Sequence, residues 1–260
     1  MKQHVFLAAA AAFGALSAGL PALAQDNQTP WTGFYLGVNA GGTWGHTSNQ
    51  ITAEGAGGSI TIPPGDITTV NGLSTDSSND LRFIGGAEGG YNYQWSNLVL
   101  GLETDFDDFQ LKQNRSTTFN SVLTVNPPPP TATTFTIGQK VTTDWLWTVR
   151  PRIGYAAGDW LIYATGGMAM APIKLTASYV DNRIPPNSAT LSVDNTKTGW
   201  VVGGGAAWLF GEHWSVKAEY LLANLGAVRG TATTADGFAT ITSQARVKAN
   251  IIRMGVDFRF

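Results

Sequence analysis

The chain has 260 residues, of which 43% are hydrophobic, 11% aromatic and 13% charged, with 31 Gly and no Cys. The lack of cysteine excludes a disulfide framework and thiolate chemistry, and a formal net charge of −2 excludes the basic surface that a nucleic-acid partner needs. Charged residues fall to about half their usual share in soluble domains, while a mean hydropathy of −0.03 is too polar for a bundle of membrane helices, so insertion in a membrane would have to use alternating strands.

The first segment reads as a secretory signal. Lys2 supplies the positive start, Val5 to Leu20 the apolar stretch and Ala22-Leu23-Ala24 the small-residue site, predicting cleavage between Ala24 and Gln25. The stretch is shorter than the roughly 20 residues a spanning helix needs and stops at Pro21. Residue 25 is Gln, so no lipid-accepting Cys stands there. Loss of Lys2 leaves 15 basic against 18 acidic residues, a net charge of −3, in one domain of residues 25–260.

Period-2 segments follow at 33–44, 82–95, 98–109, 141–155, 160–171, 198–210, 214–226 and 247–260. Their connections alternate in length. Ser96-Asn97, Ala156 to Asp159 and Gly211 to His213 are tight turns, whereas 45–81, 110–140, 172–197 and 227–246 are long and rich in Gly, Ser, Thr, Pro and Asn. Eight strands with short turns at one end and long loops at the other predict an all-β fold: an eight-stranded antiparallel transmembrane β-barrel of the OmpA/OmpX type, with both termini periplasmic and four extracellular loops.

Aromatic residues measure the membrane. Rings flank each tight turn (Tyr93 and Trp95; Tyr155 and Trp160; Phe210 and Trp214) and both chain ends (Trp31 and Phe34; Phe258 and Phe260), as in an interfacial belt. Trp145 to Tyr155 and Trp200 to Phe210 each span ten residues of one parity, which at about 3.3 Å per residue and a tilt near 40° projects to about 25 Å, the height of a barrel's apolar band.

The opposite parity carries charge. Glu88 with Asn92, Glu103 with Asp105, Arg150 with Arg152, Lys217 with Glu219 and Arg253 with Asp257 all fall away from the aromatic face and are predicted to point inward. Eight strands enclose little more than their own side chains, so these groups should form a salt-bridged plug and not a channel lining. In the closing strand Ile252, Met254, Val256, Phe258 and Phe260 alternate with Arg253, Gly255, Asp257 and Arg259. Phe258 and Phe260 form the C-terminal signal expected to be read by the barrel-assembly machinery.

Trp31-Thr32-Gly33-Phe34-Tyr35, Gly101-Leu102-Glu103-Thr104-Asp105-Phe106, Thr148-Val149-Arg150-Pro151-Arg152-Ile153-Gly154-Tyr155-Ala156, Trp160-Leu161-Ile162-Tyr163-Ala164-Thr165-Gly166-Gly167 and Trp214-Ser215-Val216-Lys217-Ala218-Glu219-Tyr220, with the closing strand, resemble the small outer-membrane β-barrel surface antigens of alphaproteobacteria, the RopB-like group. The resemblance covers every strand but not the loops. It implies a porin-like barrel of the Gram-negative outer membrane with roles in envelope integrity and surface exposure. Pro151 stands where the group usually has a small residue with an N–H, so a bulge or local break in the ladder is expected there. Ala207 stands where the group often carries an inward acid.

Little chemistry is left for catalysis. His4 departs with the signal and His213 lies in a tight turn; His46 with Asp76-Ser77 is the one same-end combination, and a solvated loop explains it better than an acyl-transfer site. Glu103, Asp105, Asp107 and Asp108 cluster, but alternation turns the first three toward Arg150 and Arg152, favouring ion pairs over Ca²⁺. Because some members of the resembled group bind haem, His46 is a haem-ligand candidate, with Tyr179 as alternative. Gly203-Gly204-Gly205 lies inside a strand and is not a phosphate loop. The chain is thus expected to be a monomeric, non-enzymatic outer-membrane surface protein without cofactor, in contact with outer-membrane lipids and lipopolysaccharide. A narrow porin, or a surface receptor for haem or a host ligand, is the alternative.

Overall fold

A computed structural model of the protein describes residues 30–55, 60–61, 81–125, 131–182, 188–233 and 239–260. The signal segment with Ala24 and Gln25, Asp76-Ser77 and the run of four prolines from Pro127 lie outside the described residues. In chain order the strands are β1 (Gly33–Gly55), β2 (Ile60–Thr61), β3 (Arg82–Trp95), β4 (Leu98–Phe109), β5 (Lys112–Val125), β6 (Thr131–Thr142), β7 (Trp145–Ala157), β8 (Trp160–Asp181), β9 (Ser188–Leu209), β10 (Trp214–Thr233) and β11 (Ala239–Arg259).

Eight of them close a ring. β1 pairs with β3, then β4, β7, β8, β9, β10 and β11, which returns to β1, every neighbour antiparallel. One circuit of cross-strand partners, Phe258–Leu36–Gly89–Thr104–Val149–Met168–Trp200–Asn224–Lys248, comes back to β11 ten residues from its start. That stagger fixes the tilt: ten residues of rise over eight strand spacings set the strands about 40° from the barrel axis. Closure leaves no edge within the ring, which lipid would not tolerate.

The strands run well past the predicted ends. Segments expected as long loops continue β1 to Gly55, β8 to Asp181 and β10 to Thr233, and begin β9 at Ser188 and β11 at Ala239; β5 and β6 occupy most of the expected loop 110–140. Gly, Ser and Thr do not prevent this, because a strand outside the membrane needs only backbone pairing and one buried face. Above the pairs Trp200–Asn224 and Thr43–Arg82 the barrel ladder ends on two sides. Beyond that level β1, β11 and β10 form one sheet and β5, β6, β8 and β9 another, and the two face each other as a flattened stalk.

Outward and inward residues exchange character along the long strands β8, β10 and β11. On β11 the outward set runs Met254, Ile252, Asn250, Lys248, Arg246 and the inward set Asp257, Arg253, Ile251, Ala249, Val247. Apolar-out, charged-in suits a wall in lipid; polar-out, apolar-in suits a wall in water. On β11 the change falls between Ile252 and Asn250, where Tyr220 donates to Asn250 Oδ1 at 2.8 Å. Trp44 with Tyr220 and Phe106 with Trp145 belong to this upper belt, and Phe34 with Tyr91, Trp160 with Trp208 and Trp214 with Phe258 to the belt at the turn end. Trp31 corrects the expected belt: it is buried inside the turn end, its backbone N–H donating to Gln94 Oε1 at 3.0 Å and its ring beneath Arg259 at 5.7 Å.

Pro151 breaks the ladder without a bulge. The β7–β8 pairing stops at Val149–Met168 and resumes in the same register at Arg152–Thr165, where the Thr165 hydroxyl donates to the Pro151 carbonyl at 3.0 Å. Proline has no N–H to give, and the threonine hydroxyl satisfies its acceptor.

The interior charge layer as candidate functional site

Inside the membrane-spanning half, five ring strands send charge to one layer. β3 supplies Glu88, β4 Glu103, Asp105 and Asp107, β7 Arg150 and Arg152, β10 Lys217 and Glu219, and β11 Arg253. Every one is at least nine-tenths buried. Arg150 donates to Glu103 at 2.5 Å, to Asp105 at 2.8 Å and to Glu219 at 3.0 Å. Arg253 reaches Asp107 at 2.7 Å, Asp105 at 3.1 Å and Glu219 at 2.9 Å. Lys217 bridges Glu88 at 3.0 Å and Glu103 at 2.7 Å, and Arg152 pairs with Glu103 at 3.2 Å while donating to Asn92 at 2.8 Å. Asp107, expected near Arg150 and Arg152, pairs instead with Arg253, across the lumen from β4.

Neutral groups complete the layer. Tyr35 donates to Glu103 at 2.7 Å, Thr148 to Asp105 at 2.7 Å, Tyr163 to Glu219 at 3.3 Å and Asn39 to Glu88 at 3.3 Å. The Arg152 guanidinium lies between the Tyr35 and Tyr163 rings, 4.7 and 5.2 Å from their centroids, where cation–π attraction adds to its ion pair. Gly90 and Gly205 make room for these phenols, since a Cβ on either would collide with the Tyr35 or Tyr163 ring. Both tyrosines share the parity of the charges, but their role depends on glycines from other strands and so escaped the reading by residue type. Among the described residues Glu88 Oε1 and Asp107 Oδ1 have no hydrogen-bond partner, although the other oxygen of each is ion-paired. Asp257 is buried nearby but forms no ion pair within 4 Å among the described residues, and Arg259 sits lower, over Trp31.

Apolar layers lie on both sides. Toward the turns, Trp31, Val99, Ala156, Leu161, Ala207 and Leu209 pack together, so Ala207, at the position of the group's inward acid, belongs to an apolar floor. Toward the stalk, one core runs from Ile84, Phe109, Leu146 and Leu221 up through Ile173, Leu175, Val228 and Val247. Higher still, Gln139 of β6 donates to Ser243 of β11 at 2.7 Å, joining the two stalk sheets. The interior is therefore apolar, charged and apolar in sequence along the axis. Among the described residues no group of three or more His, Asp or Glu is placed to hold a metal ion. His46 stands opposite Lys248 in the register, its side chain outside the described residues, and Tyr179 is half-buried on β8.

Residues 8–260 match the outer membrane protein beta-barrel domain. The chain belongs to this family. It is 30% identical to the 31 kDa outer-membrane immunogenic protein of Brucella melitensis over 276 residues, covering 99% of this chain and 100% of that one, and equally so to its Brucella suis counterpart. The barrel is thus an outer-membrane protein related to surface antigens, as its strand motifs suggested. Among solved structures it is similar to Ail, the attachment invasion locus protein of Yersinia pestis, at 14% identity and a TM-score of 0.38, with 88% of this chain and 99% of that one covered. Neisserial surface protein A is similar at 12% identity and 0.35, with 88% and 98% covered.

Proposed function

We propose that this barrel is a non-enzymatic structural and surface protein of the outer membrane, closed to solutes, with the tight turns in the periplasm and the stalk outside the cell. The observation that carries the reading is the filled interior: four cations and five carboxylates interlock across the lumen between an apolar floor and an apolar roof. An ion crossing it would have to enter two apolar layers and separate buried pairs, each step costing several kcal/mol. The carboxylates are held by cations and hydroxyls, which favours a structural role over acid–base work.

Planar-bilayer recording of the refolded protein should give no stable conductance, and liposomes that contain it should not swell in small sugars. Large, stable conductance steps would establish the porin alternative. Orientation is tested in a chain that has no natural cysteine: on intact cells an impermeant thiol reagent should label Thr240→Cys in the stalk and spare Glu212→Cys in a turn. The opposite pattern would invert the topology.

A further inference from the structure

Among the described residues, the exposed lysines and arginines lie at one height. Lys112, Lys140, Lys174, Arg229, Arg246 and Lys248 are all exposed on outward positions of β5, β6, β8, β10 and β11. Lys248 shares a cross-strand row with His46 and Asn224, one outward step above the row of Trp44, Asn250 and Leu222. At about 3.3 Å per residue and the 40° tilt, the six cations lie about 5 to 12 Å beyond the upper aromatic belt, at the level of lipid headgroups. The turn end has the opposite character: its exposed charges among the described residues are Asp159 and Glu212.

The cations form two clusters. On one side Lys112, Thr142 and Lys174 stand in a single row across β5, β6 and β8, with Lys140 in a neighbouring row between Asn114 and Thr176. Two strand spacings, about 10 Å, separate Lys112 from Lys174, with Thr142 between them. On the other side Arg229 faces Gln244, and Arg246 and Lys248 follow on β11. None of the six is ion-paired among the described residues, although Asp194 stands directly opposite Lys174 in the β8–β9 register and Asp108 and Asp144 are close in height, whereas the lumen cations Arg150, Arg152, Lys217 and Arg253 all are.

We infer that this collar binds the phosphate groups of lipopolysaccharide, the anionic glycolipid of the outer leaflet. The inference rests on the orientation proposed above. Its charge sign complements phosphate, and its height matches the glycolipid headgroups. Its side chains project sideways from the wall, into the lipid layer, where a soluble polyanion would find them less open than groups on the stalk tip. Clustering lets one glycolipid with two phosphates meet two or three cations, with Thr142, Thr176 or Gln244 as neutral donors.

Refolded protein in detergent micelles, titrated with purified lipopolysaccharide, tests this. Near an anionic membrane surface each Lys or Arg contributes about fivefold in affinity, so Lys112→Gln/Lys140→Gln/Lys174→Gln and Arg229→Gln/Arg246→Gln/Lys248→Gln should each bind at least about tenfold more weakly than wild type. Wild-type binding should also weaken with salt and with enzymatically dephosphorylated lipopolysaccharide, two readouts that need no variant. The inference is overturned if either triple variant, correctly folded, binds as wild type does, if dephosphorylated glycolipid binds equally well, or if a soluble sulfated polysaccharide outcompetes lipopolysaccharide. Micelles have no sides, so a failure of the orientation appears only in the cell-labelling experiment and leaves this titration intact.

Discussion

Replacing Arg253 should destabilise the barrel more than replacing any other lumen cation. Its guanidinium makes four close contacts, Nε and Nη2 to Glu219 at 3.0 and 2.9 Å, Nη1 to Asp107 at 2.7 Å and Nη2 to Asp105 at 3.1 Å, and a longer one from Nη2 to Glu88 at 3.9 Å. Glu219 and Asp105 also bind Arg150, at 3.0 and 2.8 Å, but Asp107 has no other cation within 4 Å among the described residues. Arg253→Met keeps most of the volume and leaves Asp107 buried without a counter-ion, at a cost of roughly 3–5 kcal/mol. Arg150→Met removes three contacts, and Glu103 keeps Lys217 and Arg152 while Asp105 and Glu219 keep Arg253, so its cost should be smaller. Urea unfolding in lipid vesicles, followed by tryptophan fluorescence, measures both. With a slope of about 3 kcal/mol per molar, Arg253→Met should lower the midpoint by roughly 1 M or more. Adding Asp107→Asn should recover at least about 1 kcal/mol, because the stranded charge is then gone. The reasoning is refuted if Arg253→Met unfolds within about 0.5 kcal/mol of wild type, if Arg150→Met costs more, or if the double variant shows no recovery.

Val256, outward on β11 between the two belts, should not accept a charge: Val256→Arg is expected to cost about 2–4 kcal/mol in the same assay, and an unchanged midpoint would show that this face does not meet lipid. Ile173 is fully buried in the core that continues into the stalk. Ile173→Ala should cost about 2–5 kcal/mol. The loss should appear as faster hydrogen exchange in the upper strands β8 and β9 before any change in the charge layer; equal acceleration throughout would mean that stalk and barrel unfold as one unit.

Much of this protein was legible in its residues because a strand's period of two is rigid: once Phe260 and Val256 face lipid, Asp257 and Arg253 must face inward. Composition, the eight alternating segments and the three tight turns determine an antiparallel barrel, and the inward set Glu88, Glu103, Asp105, Arg150, Arg152, Lys217, Glu219 and Arg253 follows from parity alone. What parity does not determine is which charge meets which, since partners such as Arg253 and Asp107 lie 146 positions apart and are joined by closure with a stagger of ten residues. Trp31 looked like a belt residue by its distance from Phe34, but it precedes β1, and the mouth at the turn end had space for its ring under Arg259. The stalk was hidden for a related reason. Its strands are rich in Thr, Ser and Gly, and their few apolar residues, Ile173, Leu175, Val228 and Val247, gain enough burial only when two sheets close on them. Sequence therefore determined the wall and its two faces, while the pairing of charges and the continuation of the core above the membrane were decided by which distant strands the closed barrel brings together.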